Sequence, residues 1–229
     1  MEERIRKALA ERFDAGIAQR AQLDNLGGHA SLRIYWRIRL DSPDFPRGES
    51  SLMAMVLPQS ADALKSEEGG SSAESPPTEL PFVSVQAYLD RLGVRVPEID
   101  FEDAAGLGVL LLEDLGDTMF ENVYLATSDD AHEALYREAI DLLVDFQKRI
   151  VADQERHCIC WSKEFDDELL RWELDHYVEW GIDALHGPER LDPVRHEVDH
   201  LFDAIVEELG MFPQTLSLRD YQSRNIMRK

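Results

Sequence analysis

The chain has 229 residues, 44% hydrophobic and 31% charged, enough apolar sequence for the core of one large domain or two small ones. Its 46 acidic residues against 24 basic ones leave a formal net charge of −22, which repels phosphate backbones and anionic lipid heads and so argues against nucleic acid or membrane partners. Two cysteines, Cys158 and Cys160, are too few for a disulfide framework, no apolar signal core opens the sequence, and the longest strongly apolar run, Leu107 to Leu112, is far too short for a bilayer; a cytoplasmic location is expected.

Residues 3–21 read as a helix, because Ile5, Leu9, Phe13 and Ile17 recur every four residues among charges. Asn25-Leu26-Gly27-Gly28 is turn chemistry. LRIYWRIRL (32–40) then alternates as a half-buried strand does. Leu32, Ile34, Trp36, Ile38 and Leu40 fall on one face, with Arg33, Tyr35, Arg37 and Arg39 on the other. After a loop at 41–50, SLMAMVLP (51–58) reads as a second strand. Residues 59–79 lack aromatics and are rich in Ser, Glu, Gly and Pro, so a mobile insertion is expected.

A helix is predicted from Pro81 to a stop at Gly93, and a short strand from Val109 to Leu112, followed by a turn at EDLGD (113–117). Beyond Gly116 the periodicity is helical, over 130–152, 165–185 and Pro193–Leu209. Strands in the first half and helices in the second predict an α+β fold, a small β-rich lobe followed by a helical one.

Near the end, LSLRDYQSRNIM sets Asp220 five residues before Asn225. Phosphoryl transfer to an alcohol needs a carboxylate to orient the hydroxyl and take its proton late, and an amide oxygen can help hold Mg²⁺ against nucleotide phosphates. The D-x4-N spacing is that of a kinase catalytic loop, although Asp and Asn also cap ordinary turns. The acidic surface is compatible with a cationic ligand or with a phosphate donor that arrives carrying Mg²⁺.

RDYQSRNIM resembles the catalytic loop of the aminoglycoside phosphotransferase-like kinases, small-molecule kinases with the protein-kinase fold. The nearest resemblance is to the bacterial branch that includes anomeric kinases of N-acetylmuramate and N-acetylglucosamine. LGGHASLRIYWRI resembles that branch's phosphate-loop hairpin, LLLEDLGD its inter-lobe hinge, and FDDELLRWELDHYVEW a helix that helps wall the acceptor site. The resemblance implies a two-lobed protein, with a nucleotide lobe at 1–115 and a helical lobe at 116–229. It implies ATP and Mg²⁺, and a sugar or amino sugar hydroxyl as acceptor. Asp220 would be the catalytic base and Asn225 a Mg²⁺ ligand. Gly27, Gly28, His29, Ala30 and Ser31 would cover the phosphates. Glu113 and Leu115 would meet adenine through their backbones, and Arg224 would steady the loop or the transferring phosphoryl group.

Departures from the pattern qualify this. Leu218 stands where many kinases have His. Met53 and Met55 occupy the strand that would carry the phosphate-pairing Lys, a role left to Arg33 or Arg37. No second acidic Mg²⁺ ligand follows Asn225, so the sequence is expected to be a fragment without efficient turnover. A non-catalytic nucleotide- or ligand-binding relative is the alternative. A remoter one is a zinc metallopeptidase, since His196-Glu197-Val198-Asp199-His200 satisfies H-E-x-x-H. Against it, Val194, Val198, Leu201, Ile205 and Leu209 are expected to form the buried stripe of that helix, which turns both His outward. His157, Cys158 and Cys160 are expected to form a small buried loop rather than a metal site, and Trp161, Trp172, Tyr177 and Trp180 either wall a sugar site or fill core.

Overall fold

A computed structural model describes residues 1–27, 33–40, 45, 48–58, 80–162 and 164–228. Gly28, His29, Ala30 and Ser31 of the expected phosphate loop, and the insertion expected at 59–79, lie outside the described residues. The protein is α+β. It divides into two compact units, residues 1–158 with 218–229, and residues 159–217. No helix among the described residues is long and apolar enough to cross a membrane.

The first unit is built on five antiparallel strands in the order β1-β2-β3-β5-β4. They are β1 (Gln22–Gly27), β2 (Ile34–Arg39), β3 (Ser51–Val56), β4 (Ile99–Asp103) and β5 (Val109–Glu113). The alternation along β2 sorts its side chains as expected. Ile34, Trp36 and Ile38 join Leu52, Ala54, Val56, Val109 and Leu111 beneath α1 (Glu2–Arg12) and α2 (Ala15–Arg20). On the other face Tyr35 joins Met53, Met55, Leu110 and Leu112 beneath α3 (Pro81–Arg91), which contributes Phe82 and Val83. β5 is covered on both faces and paired along both edges, so all five of its residues are buried. Each such large apolar side chain contributes about 1.5–3 kcal/mol by leaving water.

Local chemistry changes two expected elements and adds two strands. The helix expected over 3–21 breaks at Phe13, whose φ of −122° and ψ of −96° leave the helical region. Asp14 then caps a new helix, its Oδ1 accepting the Ile17 N–H at 2.8 Å. The turn expected from Asn25 lies instead at the end of a strand, β1, which pairs with β2 through Asn25↔Trp36 and Gly27↔Tyr35. β1 and β4 are both edge strands with half-wet, polar sequences, QLDNLG and IDFED, so neither carries an apolar run to announce it.

Two further helices complete this unit, α4 (Phe120–Ala126) and α5 (Asp129–Ala152), the latter burying Leu135, Ala139, Phe146 and Ile150. Asp153, the residue that ends α5, ties it to α3. Arg91 donates to its two carboxylate oxygens at 3.1 and 2.9 Å, and the Tyr88 hydroxyl donates at 2.9 Å.

The second unit pairs α6 (Asp167–Tyr177) with α7 (Arg195–Gly210). α6 runs on through a π-helical stretch, Val178–Asp183, and a last turn, Ala184–His186, so the single regular helix expected over 165–185 is interrupted. Arg171 of α6 reaches Asp199 at 2.7 Å and Asp203 at 2.5 Å on α7. On α7 Val206 is buried, and Asp199 and Phe202 are half-buried. Val194, Leu201, Ile205 and Leu209, expected in the buried stripe, are exposed. Both histidines of the HEVDH segment are also exposed, their rings 4.7 Å apart.

The Arg91 hydrogen bonds, helped by Tyr88, hold the Asp153 carboxyl down at about 2. That is below the roughly 3.9 of an unfolded Asp, so the tie stabilises the fold above about pH 4 and is lost as pH falls through the folded value. Urea unfolding of wild type and Asp153→Asn should therefore differ most near neutral pH and converge toward pH 2. A difference constant with pH would contradict this role.

Candidate functional site

β5 ends at Glu113, which is buried, ion-paired with Arg95, and hydrogen-bonded through its N–H to the Glu98 carbonyl at 2.9 Å. The linker 114–118 that follows is fixed by one guanidinium from β2. Arg37 Nε lies 2.7 Å from Asp114 Oδ2, its two terminal nitrogens donate to Asp117 at 2.8 Å each, and Nη2 also donates to the Gly116 carbonyl at 3.3 Å. The Arg37 and Asp114 side chains are 8% and 5% exposed. The hydrogen bond to Asp117 holds the guanidinium above its ordinary value, and the same bond pulls the Asp117 carboxyl down. Asp114 Oδ1 also accepts the Gly116 N–H at 2.9 Å, closing a turn in which Gly116 has φ +84°, a conformation that favours glycine.

The linker delivers the chain to α4, whose N-cap residue, Met119, makes no side-chain cap. A helix start leaves four N–H groups without intrahelical partners. Here the 218–228 loop supplies the acceptors. Phe120 N–H donates to the Ile226 carbonyl at 2.9 Å and Glu121 N–H to the Ser223 carbonyl at 3.1 Å. In return Arg228 N–H donates to the Thr118 carbonyl at 2.8 Å, and Met119 and Met227 form an antiparallel bridge. Side chains complete the seam. Arg224 Nε lies 3.0 and 3.1 Å from the Glu121 carboxylate oxygens. The Tyr221 hydroxyl donates to the Ala139 carbonyl on α5, and burial pushes its phenol up, so it remains a donor.

Within this loop the two residues singled out by their spacing are clasped together. Asn225 Nδ2 donates to the Asp220 carbonyl at 2.9 Å, and Asn225 N–H donates to the Gln222 carbonyl at 2.9 Å. Asp220 N–H donates back to Leu218, closing a three-residue turn over Arg219. Arg219 takes φ +47°, the one positive φ at a non-glycine position among the described residues. Such a conformation costs about 1–3 kcal/mol and persists where surrounding contacts over-determine it, typically at functional sites. The Asp220 side chain is exposed, and its carboxylate has no hydrogen-bond or ion-pair partner among the described residues.

The other expected site residues are placed as follows. Gly27 ends β1 at φ +80°, its N–H donating to Asn25 Oδ1 at 2.7 Å. Leu115 is half-buried in the linker. Met55 is buried and Met53 half-buried in β3, so no cation stands in that strand. Arg37 is committed to the linker carboxylates, and the Arg33 guanidinium lies 5.8 Å from the Phe82 ring. Cys158 and Cys160 form no disulfide and are half-buried, which corrects the expected buried loop.

In the second unit Trp172 stacks on His176 at 4.8 Å and Trp180 meets the same ring edge-on at 6.1 Å. Trp172, Tyr177 and Trp180 are exposed rather than core. A cavity of about 480 Å³ in that unit is lined by Asp167, Arg171, Asp203, Val206, Glu207 and Gly210. Its one cation is already divided among Asp175, Asp199 and Asp203, so it offers an anionic substrate nothing. Among the described residues no group of three or more His, Cys, Asp or Glu is arranged to hold a metal ion.

Arg37, Asp114, Asp117, Glu121 and Tyr221 were not anticipated in these roles. Arg37 carried a faint signal, a charge on the inner strand of a hairpin, but pairing between residues a hundred positions apart, as in Glu121 and Arg224, leaves none.

No family model matches the chain. It is similar to two curated sugar kinases, both named N-acetylmuramate/N-acetylglucosamine kinase. One, from Neisseria meningitidis serogroup B, is 31% identical over 158 residues, which cover 67% of this chain and 44% of that protein. The other, from Caulobacter vibrioides, is 29% identical over 171 residues, covering 69% of this chain and 44% of that protein. The matched region thus spans less than half the length of these relatives.

Removing the phenol that anchors the loop tests its rigidity. Tyr221→Phe should cost about 1 kcal/mol of stability and speed hydrogen exchange at the Phe120, Glu121 and Arg228 amides. Unchanged exchange at those three would show that the phenol does not hold the seam.

Proposed function

We propose that the protein is a small-molecule kinase with a protein-kinase-like fold, moving the γ-phosphate of ATP to a hydroxyl of a sugar or amino sugar. The observation that carries this reading is the 218–228 loop. Asp220 and Asn225 are clasped side by side, next to a strained Arg219, on a seam of backbone hydrogen bonds. The similarity to two sugar kinases supports the same chemistry and suggests an N-acetylated amino sugar as acceptor.

In this reading residues 1–115 form the nucleotide lobe and 116–229 the helical lobe. The exposed Asp220 carboxylate orients the acceptor hydroxyl and takes its proton as the new O–P bond forms. The bond from the γ-phosphorus to its bridging oxygen breaks, and ADP leaves with that electron pair. Gly27 through Ser31 cover the phosphates. Glu113 and Leu115 meet the adenine edge through their backbones, and the Glu113 N–H is already engaged by the Glu98 carbonyl. Arg224, held by Glu121, steadies the loop.

Asn225 uses its amide nitrogen on Asp220, which leaves its oxygen as the donor toward Mg²⁺. Such a carboxamide oxygen would be one ligand among several, beside nucleotide phosphates, water and the acidic second ligand that kinases use. When bound, the ion neutralises phosphate charge.

The test is γ-phosphate transfer from ATP to N-acetylglucosamine and N-acetylmuramate. Asp220→Asn should lower turnover by about 10²–10⁴-fold while MgATP affinity stays within twofold or so. Asn225→Ala should weaken MgATP and leave Mg²⁺-free ATP unaffected, and His196→Ala should change neither property. Wild-type transfer undiminished in Asp220→Asn, or ATP binding indifferent to Mg²⁺, would overturn the reading.

A further inference from the structure

We propose that Arg37 is a positioning residue for the adenine end of the nucleotide, acting through the linker 114–118, and not the cation that pairs with the phosphates. This rests on the nucleotide-binding reading above and assigns the unfilled Lys role away from Arg37.

The geometry carries the choice between these two roles. A phosphate-pairing cation must keep donors for the ligand. Both terminal nitrogens of Arg37 donate to the linker, to Asp117, Asp114 and the Gly116 carbonyl, and its Nε is buried 2.7 Å from Asp114 Oδ2. Its side chain is almost fully buried, so it cannot swing to a ligand without exposing the Asp114 carboxylate to an unpaired, buried state. A guanidinium in a planar fork fixes the direction of its acceptors as well as their distance.

The consequence falls on two backbone groups. Glu113 and Leu115 flank Asp114, so the adenine-facing groups proposed above sit on either side of the carboxylate that Arg37 grips. Glu113 is itself fixed from the opposite side by Arg95. The same linker ends at Thr118, whose carbonyl accepts the Arg228 N–H of the 218–228 loop. β2 therefore sets the position of the linker through one side chain, and the linker passes that position to the loop.

The test compares three probes by ligand-observed NMR: adenosine, Mg-tripolyphosphate and MgATP. Asp117 is 81% exposed at its side chain, so Asp117→Ala should fold, and it removes two of the Arg37 hydrogen bonds. It should weaken adenosine and MgATP about tenfold and leave Mg-tripolyphosphate unchanged. Asp117→Glu should recover part of the loss, and Arg37→Lys, where it folds, should repeat the Asp117→Ala pattern. A general loss of stability would weaken all three probes together, and that result overturns the proposal. So does a loss confined to Mg-tripolyphosphate in Arg37→Lys, which would make Arg37 a phosphate ligand. Wild-type binding of MgATP with adenosine unaffected in Asp117→Ala overturns this inference alone. Failure of the wild type to bind MgATP overturns it together with the nucleotide reading.

Discussion

The start of α4 has backbone N–H groups that must find acceptors, and the carbonyls of Ser223 and Ile226 provide them. Buried or half-buried N–H groups left unpaired are costly, so this need holds the 218–228 loop against α4. The loop is then short of slack. Its other end is pinned to Thr118, its middle to α5 by Tyr221, and the turn at Arg219 is driven into a left-handed conformation. Asp220 and Asn225 inherit their closeness from that constraint.

Electrostatics supports the same arrangement from the opposite end of the linker. A protein with a net charge of −22 has few cations to spare, and the first unit spends Arg37 inside, where it holds two carboxylates at once. Within it Arg37 and Asp114 are the buried pair, and removing either would leave the other uncompensated, whereas Asp117 is exposed. The two ties, guanidinium on linker and loop on helix, share residues 114–121. Together they make that stretch the meeting point of β2, β5, α4 and the 218–228 loop.

Much of this was legible in the sequence, and what was not has a physical reason. The alternation in β2, the buried run of β5 and the long apolar period of α5 each report one face of one element, which is the information a local pattern contains. The spacing of Asp220 and Asn225 was legible for the same reason, since it is local, whereas the clasp of Asn225 onto the Asp220 carbonyl was not foreseen. β1 and β4 were hidden because an edge strand that stays half wet needs no apolar run. The break at Asp14 was hidden because a cap of local hydrogen bonds overrode a continuing stripe. On α7 the apolar period was real, but most of that stripe is exposed, while α6 meets the helix through Val206 and through Arg171 on Asp199 and Asp203. The Arg37 and Glu121 contacts join residues about eighty and a hundred positions apart, and nothing in a single sequence encodes that distance.

The most direct measurement of the central claim uses Mn²⁺ in place of Mg²⁺ with ATP, reading paramagnetic broadening of backbone amide signals. A metal-nucleotide held by the Asp220–Asn225 loop predicts broadening concentrated at residues 220–227, present only when both Mn²⁺ and ATP are added, and abolished in Asn225→Ala. Broadening centred on the His196–His200 segment, or none at 220–227 under saturating Mn²⁺ and ATP, would contradict the account.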